Sequence, residues 1–267
     1  NTCSDGQGNG LGGAAELYAD TATFTNCTIA DNVSDDGGGG IQAFSATVTI
    51  YNCILWGNAS GGQNDQYDGS TPTVRYTDIG QSGFSGNGNK NTDPLFADSG
   101  SGDYRLLRGS PCIDAGKNSY CDSACDSGGD LLGAARKSDH LCTTDGGDGT
   151  APIIDMGCFE AGTGIIFVDK DATGGNDGLA WSSAYTDLQN GFSKAGDTSF
   201  ADYDPAACEI WVAEGGYKTS QCSSCSDTDR QKSFALVDDI GVYGRFTGNE
   251  TTRAARLVQI MVHTHNM

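Results

Sequence analysis

The sequence is poor in proline, in glutamate and in basic residues. It has 5 prolines among 267 residues, and 5 of its 35 carboxylates are glutamate while the other 30 are aspartate. Few prolines, together with 40 glycines that follow no three-residue period, exclude collagen and a proline-rich linker. Glutamate favours helices, whereas aspartate favours turns and caps. The composition therefore predicts short strands joined by many turns.

The shortage of positive charge limits the partners. Fifteen Lys and Arg residues against 35 acidic ones give a net charge of −20. Such a surface repels phosphate backbones, so we expect no nucleic-acid partner. No apolar run reaches the roughly 18 residues of a membrane-spanning helix, so no transmembrane segment is predicted. We expect no cofactor except calcium, for which carboxylates would have to be clustered.

Cysteine, in contrast, is abundant. Eleven cysteines are too many for an ordinary cytosolic domain, and their loose spacing is unlike that of a zinc module. We therefore expect an oxidising compartment. Two close pairs are candidates for local disulfides: Cys121 with Cys125, and Cys222 with Cys225. The alternative partners are Cys112, Cys142 and Cys158 for the first pair and Cys208 for the second; Cys222-x-x-Cys225 is also compatible with a redox motif or half a zinc site.

An internal repeat indicates the fold. "TFTNCTIADN" (23–32) nearly recurs as "TIYNCILWGN" (49–58), 26 residues later. Each copy contains short runs of β-forming residues between polar turns rich in Gly, Asp and Asn. A period of this length with strands and no helices indicates a parallel β-solenoid, in which like residues stack. We expect Cys27 above Cys53 in its core.

The repeated asparagines carry further expectations. Asn26 above Asn52 would form a ladder of side-chain amides, and Asn32 and Asn58 would hold turns. The chain also begins inside a repeat, so we expect it to be a segment of a longer polypeptide.

Two parts of the chain resemble known families. Residues 1–92 resemble the last coils of a right-handed parallel β-helix of the pectin-lyase-like class. Residues 93–160 resemble the closing module of large bacterial surface β-helix proteins, often called the choice-of-anchor Q domain. The matching residues are Asp93, Pro94, Phe96, Asp103, Tyr104, Leu106, Ser110, Pro111, Ile113, Asp114, Gly116, Asp130, Gly133, Arg136, Asp155, Gly157 and Glu160. The chain departs from this pattern in "DLLGAAR" (130–136) and in a Cys-rich insert (118–128).

The third part resembles the start of another such β-helix. After a linker at 161–164, "AGTG", residues 165–267 would form an N-terminal cap and the first coils of that second β-helix. Apolar residues at Ala184, Leu188, Phe192 and Ala195 share one helical face, which predicts a helix over 182–195 that covers the first rung. Ser182 or Ser183 is its expected N-cap. Trp211, Val242 and Tyr243 would be partly exposed at an open end.

The candidate site residues are scattered. A β-helix polysaccharide lyase needs clustered aspartates for calcium and an Arg or Lys base, and a glycoside hydrolase needs facing aspartates. The weak candidates for cation or glycan contact are Asp31, Asp35, Asp36, Asp65, Asp68, Arg75 and Asp78. Aspartate beside glycine is usually a solvated turn residue. No catalytic residue is assigned.

We therefore interpret the chain as a non-catalytic structural or adhesive segment of a large exported bacterial surface protein. Its partners would be extracellular glycans or other cell-surface components. The alternative is a polysaccharide lyase or glycoside hydrolase of the pectin-lyase-like class. Fold alone cannot choose between them, because one scaffold hosts both roles.

Overall fold

The computed structural model describes residues 2–3, 10–196, 207–217, 234–237 and 240–255. The chain divides into two compact units, 1–163 and 164–267, and this division falls within the "AGTG" segment. Cys222 and Cys225 lie outside the described residues.

Short strands make up most of the regular structure. The first unit contains β1 (Thr2–Cys3), β2 (Ala15–Tyr18), β3 (Thr21–Thr25), β4 (Thr28–Ala30), β5 (Val33–Ser34), β6 (Ile41–Phe44), β7 (Thr47–Tyr51), β8 (Ile54–Trp56), β9 (Ala59–Ser60), β10 (Gln63–Asn64), β11 (Tyr67–Gly69), β12 (Thr73–Arg75), β13 (Asp78–Ile79), β14 (Phe96–Asp98), β15 (Asp103–Leu106) and helix α1 (Ser123–Gly128). The second contains β16 (Ile165–Val168), helix α2 (Leu188–Gly196), β17 (Glu209–Ala213) and β18 (Gly241–Phe246). Single 3₁₀ turns occupy Ser99–Ser101, Asn118–Tyr120, Trp181–Ser183 and Arg253–Ala255. In the described ranges, no helix has the length and apolarity needed to cross a bilayer.

Successive strands of the first unit belong to different parallel sheets. The sheet orders are β11-β6-β2, β12-β7-β3 and β13-β8-β4, and β5 pairs in parallel with both β1 and β9. Thr21 pairs with Thr47, 26 residues later, and Thr49 pairs with Thr73, 24 residues later. The period of the sequence repeat is thus the separation in sequence between residues that pair on neighbouring strands. The predicted all-β class with mostly parallel strands is confirmed; β9 with β10 and β14 with β15 are antiparallel exceptions.

The corners between strands explain why asparagine recurs. Asn26 and Asn52 follow β3 and β7 with φ angles of 53° and 50°. This left-handed conformation is costly for most residues, and asparagine tolerates it better than other side chains with a Cβ. The predicted ladder between these two residues is wrong, because the Asn52 amide is bonded to the backbone of Lys117 instead, at 2.8 and 3.0 Å.

The amide ladder lies at the next corner. Asn32 Nδ2 donates to Asn58 Oδ1 at 2.8 Å, and Asn58 Nδ2 donates to Gln66 Oε1 at 2.7 Å. All three side chains are buried. Asn32 and Asn58 therefore do more than hold turns, because each satisfies the polar groups of its neighbour in the interior.

Apolar residues from all three sheets fill the space that these strands enclose. The buried residues are Ile29, Ile41, Ala43, Ala46, Val48, Ile50, Cys53, Leu55, Tyr67, Val74 and Ile79. Cys53 is fully buried, and the half-buried Cys27 packs on the same cluster. The Cys27 backbone N–H donates to Cys53 Sγ at 3.4 Å, so the predicted cysteine stack is present.

Residues 93–160 form a hairpin followed by a largely irregular segment. The hairpin of β14 and β15 is held by an edge-to-face contact between Phe96 and Tyr104, with ring centroids 5.2 Å apart. Within the Cys-rich insert, Cys121 and Cys125 form a disulfide. The insert also contains α1, a short helix that the sequence analysis did not predict and that Asp122 caps through two backbone N–H groups.

The second unit is a three-stranded parallel sheet with apolar residues on both faces. One face packs on α2. The buried cluster between this face and the helix consists of Ile166, Val168, Phe192, Ala195, Ala207, Ile210 and Val212. The other face buries Ile165, Phe167, Ala184, Trp211 and Phe246, with Trp181 and Tyr243 at its edge. The prediction for Trp211 is wrong, because its ring is fully buried and stacks on Phe246 with centroids 4.7 Å apart. Val242 is 46% exposed, as expected.

Helix α2 begins later than predicted. Its first turn is capped by Asp187, whose carboxylate accepts from the Gln189 N–H at 2.8 Å, so the predicted caps Ser182 and Ser183 are wrong. Tyr185 is not helical, because its N–H donates to the Phe167 carbonyl of β16 and its carbonyl accepts from the N–H of Asp169, just after that strand. The predicted inner face is confirmed for Leu188, Phe192 and Ala195, which pack in the cluster beneath α2. It is wrong for Ala184, which precedes the helix and packs in the cluster on the other face of the sheet.

Candidate functional site

The first group of predicted candidates lies in turns. Asp31 is exposed with a φ angle of 53°, and Asp36 is exposed with its carboxylate accepting from the Gly37 N–H at 3.0 Å. The backbone N–H groups of Asp35 and Asp36 both donate to the Gly10 carbonyl. These interactions shape the turn and do not gather the three carboxylates around one point.

The second group is divided between surface and interior. Asp65 is half-buried, and burial together with the nearby Asp68 carboxylate raises its pKa. Arg75 is exposed on β12, and no ion pair links it to a candidate aspartate in the part of the chain that the structure describes. Asp78 is fully buried, and its oxygens accept from the Thr92 N–H at 3.2 Å and the Cys112 thiol at 3.1 Å. Its place in the core makes Asp78 inaccessible to a polysaccharide.

An exposed aromatic pair lies on the outer face of the sheet formed by β2, β6 and β11. Tyr18 and Phe44 are register partners, 58% and 36% exposed, and their rings stack with centroids 4.9 Å apart. Exposed carboxylates flank them: Glu16 accepts a hydrogen bond from the Tyr18 hydroxyl at 2.7 Å, and Asp68 lies on β11. The sequence analysis did not predict this pair. In "ELY" and "QAF", however, the aromatic residue lies two positions after a polar one, which places both on the same face of the strand.

A network of buried charged groups lies between residues 114 and 161. The Asp155 carboxylate accepts from the Asp114 N–H at 2.7 Å and the Ala161 N–H at 2.6 Å. The Glu160 carboxylate accepts from the Asp155 and Ser138 N–H groups, both at 3.3 Å. Backbone donors thus satisfy the carboxylates and fix the path of an irregular segment.

Arg136 supplies the positive charge of this network. Its guanidinium lies 3.8 Å from Glu160 and donates to the Gly157 carbonyl at 2.9 Å. Burial raises the pKa of Asp155 to about 8. Burial, and then the neighbouring Asp155, raise the pKa of Glu160 to about 10, against the opposing effect of Arg136. Both carboxyls therefore hold their protons more tightly than exposed groups do.

Beside the network, three carboxylates converge. One oxygen each from Asp114, Asp139 and Asp145 lies within 4.8 Å of the others, and only Asp114 is buried. Both Asp114 oxygens lack a hydrogen-bond partner of good geometry among the described residues. Burial raises the pKa of Asp114 to about 7, while the nearby His140 backbone N–H opposes this shift. We refer to these three residues as the acidic cluster.

The resemblance to a closing module includes some residues of this region, but it does not predict how they are arranged in space. Asp114, Arg136, Asp155 and Glu160 belong to the residues that match the closing module, whereas Asp139 and Asp145 were not predicted as site residues. No protein-family model, no curated protein and no solved structure matches this chain. The network and the acidic cluster are therefore interpreted from their own geometry.

Proposed function

We propose that the chain is a non-catalytic structural and adhesive segment of a large exported bacterial surface protein. In this proposal, residues 1–92 are the last coils of a right-handed parallel β-helix, and residues 93–160 close it. The observation that carries the proposal is the strand register, in which each strand pairs with the strand one repeat later. Such an arrangement extends by adding repeats and suits a long, rigid spacer.

The closing role of residues 93–160 has support from their contacts with the coils. The Gly157 N–H donates to the Asn52 carbonyl at 2.8 Å, and the Cys158 N–H donates to Thr28 Oγ1 at 3.1 Å. A Cβ on Gly157 would lie 2.7 Å from Thr28 Oγ1, so only glycine permits this approach. The same segment reaches the last coil, where the Cys112 thiol donates to Asp78 of β13 at 3.1 Å. Repeat proteins require covers at their ends.

Residues 165–267 are proposed as the cap and first coils of a second β-helix. Parallel pairing of β16, β17 and β18 supports this, because each strand lies beside the next strand along the chain. Helix α2 covers one face of this sheet, as a cap would.

The scattered candidates favour adhesion over catalysis. Lyase chemistry needs a base close to cation-binding carboxylates, and hydrolysis needs two carboxylates on opposite sides of one bond. Arg75 lacks a carboxylate partner in the described residues, and Asp78 is in the core. A catalytic centre of either type is not assembled from these groups.

We propose the face with Tyr18 and Phe44 as the glycan contact, with a neutral polysaccharide as its ligand. Aromatic rings pack against the C–H faces of sugars, and flanking carboxylates accept hydrogen bonds from hydroxyl groups. Glu16 and Asp68 supply such acceptors beside the rings. The disulfide between Cys121 and Cys125 supports an extracellular or cell-surface location.

Binding to immobilised neutral polysaccharides tests this function. We expect saturable binding by the wild-type chain and a loss of about tenfold or more in affinity for Tyr18→Ser with Phe44→Ser, because stacking supplies most of the contact. The matched control is Leu131→Ser with Leu132→Ser, which removes two exposed apolar side chains elsewhere. Equal loss in both double variants, or no binding to any glycan, would contradict the proposed contact.

The catalytic alternative has its own assay. Polygalacturonate and alginate are incubated with the chain in calcium, and unsaturated products are followed by their ultraviolet absorbance. We expect no increase in absorbance. An increase that disappears in Arg75→Ala would instead establish the lyase.

A further inference from the structure

The acidic cluster combines two independent observations. Three carboxylates converge within 4.8 Å, and one of them, Asp114, is fully buried with both oxygens lacking a hydrogen-bond partner of good geometry in the described part of the chain. A buried carboxylate with so little hydrogen bonding is costly, because it has lost its water and gained only the opposing effect of the nearby His140 backbone N–H. Two further carboxylates facing it add repulsion.

Among the residues that the structure describes, no Lys or Arg supplies a cation at this point. The nearby basic residues are engaged elsewhere: Lys117 with Asp148, Arg136 with Glu160, and Lys137 with Asp126. Within the described ranges, no Lys or Arg forms an ion pair with any member of the acidic cluster. The negative charge therefore remains uncompensated by side chains.

Hydrogen bonds fix the backbone segments that carry the three aspartates. The Gly146 and Gly147 N–H groups donate to the Asp114 carbonyl at 2.8 and 3.0 Å, which keeps the neighbouring Asp145 beside Asp114. His140, next to Asp139, is fully buried, and its Nδ1 lies 2.9 Å from Thr143 Oγ1. The fold thus brings the three aspartates together, with one oxygen of each within 4.8 Å of the others.

We infer that Asp114, Asp139 and Asp145 form a binding site for a hard divalent cation, with calcium as its ligand. The donors are all oxygens, which excludes a typical zinc site with its nitrogen and sulfur ligands. Calcium accepts several carboxylates in flexible geometry, and water fills its remaining positions where ligands are exposed, as Asp139 and Asp145 are. Magnesium demands a stricter octahedron and gives up its water reluctantly, so it fits less well. This inference is independent of glycan binding.

Calorimetric titration tests the site. The whole chain is treated with a chelator, exchanged into about 0.15 M KCl to screen weak surface binding, and titrated with CaCl₂. We expect one saturable calcium per chain, and much weaker binding of Mg²⁺. Asp139→Asn and Asp145→Asn should each weaken calcium binding at least about tenfold, because each removes a charged ligand. Both residues are exposed, so neither variant should disturb folding; circular dichroism checks this.

The matched control is Asp20→Asn. Asp20 is exposed on the first unit, and its substitution makes the same change in net charge at a distance in sequence from the cluster. It should bind calcium like the wild-type chain. The inference is overturned if the wild-type chain shows no saturable binding, if Asp139→Asn with Asp145→Asn binds normally, or if Asp20→Asn loses as much affinity as the cluster variants.

Discussion

At the scale of single residues, asparagine occupies equivalent positions in successive coils for two different reasons. Asn26 and Asn52 take a left-handed backbone conformation, whereas Asn32 and Asn58 join a buried amide ladder. The repeat predicted that each pair would lie in like environments. It could not predict which pair forms the ladder, because the Asn52 amide is bonded to the backbone of Lys117, and no period predicts a contact with that distant segment.

The ladder makes a specific prediction for Asn58. Its side chain accepts from the Asn32 N–H and Nδ2 and donates to the Ile29 carbonyl and Gln66 Oε1. Asn58→Ala would leave buried polar groups without partners, so we expect a loss of about 2–4 kcal/mol in the free energy of unfolding. Urea denaturation followed by circular dichroism measures it.

The control for Asn58 is Asn91→Ala. Asn91 is exposed, and its substitution should change the stability by less than about 0.5 kcal/mol. If Asn58→Ala is as mild as this control, the ladder does not contribute to stability.

The pKa of Glu160 predicts how stability depends on pH. Burial raises this pKa in the folded state to about 10, far above its ordinary value of 4.5. The folded state therefore holds a proton that the unfolded state releases, and stability falls as pH rises between these two values. Glu160→Gln removes this proton exchange while keeping an oxygen acceptor. We expect its free energy of unfolding to fall less than that of the wild-type chain between pH 5 and 8, by at least about 1 kcal/mol.

Urea denaturation at constant ionic strength, with a chelator present, measures this difference. The control is Glu16→Gln, because Glu16 is exposed and should not change the slope. Parallel pH profiles for the wild-type chain and Glu160→Gln would show that Glu160 is not the group responsible.

At the scale of elements, strands were easier to predict than helices. Two features of the sequence predict a strand in a repeat: the alternation of apolar and polar residues along it, and the similar segment one period away with which it pairs. The pairing of the strands could therefore be predicted from the sequence. Helix α2 lacked this second source of information. Leu188, Phe192 and Ala195 of its apolar face were predicted correctly. Its start, and with it Ala184, was not, because Tyr185 pairs with β16 and the pairing of distant segments overrides local capping signals.

Exchange of the two cap candidates tests where α2 begins. Asp187→Ala removes the side chain that accepts from the Gln189 N–H, and we expect it to cost about 0.5–2 kcal/mol. Ser182→Ala should be nearly neutral, because Ser182 is exposed and lies before Tyr185, which pairs with β16. Thermal unfolding of the whole chain gives both values. A larger loss for Ser182→Ala than for Asp187→Ala would place the start of the helix at the predicted position.

At the scale of the whole molecule, the structure of the periodic coils could be predicted from the sequence, whereas the structure of the irregular segment could not. Periodic coils place residue 23 over residue 49 by simple arithmetic. The irregular segment after β15 has no period, so nothing local brings Asp139 and Asp145 to Asp114. The resemblance to a closing module marked Asp114 and Glu160 as belonging together without giving their contacts. The acidic cluster emerges only when these loops are folded against one another.

The net charge of −20 provides a final test of the proposed glycan contact. A surface with this charge attracts polycations without specificity, and such attraction weakens as salt shortens the screening length from about 10 Å at 0.1 M to about 3 Å at 1 M. Stacking of sugars on Tyr18 and Phe44 does not depend on long-range charge. We therefore expect affinity for a neutral polysaccharide to change less than about twofold between 0.1 and 1 M NaCl, while affinity for the polycation chitosan falls more than about tenfold. Equilibrium binding to the immobilised polymers measures both. If the neutral polysaccharide is released by salt as readily as chitosan, the binding is electrostatic and the aromatic pair is not its cause.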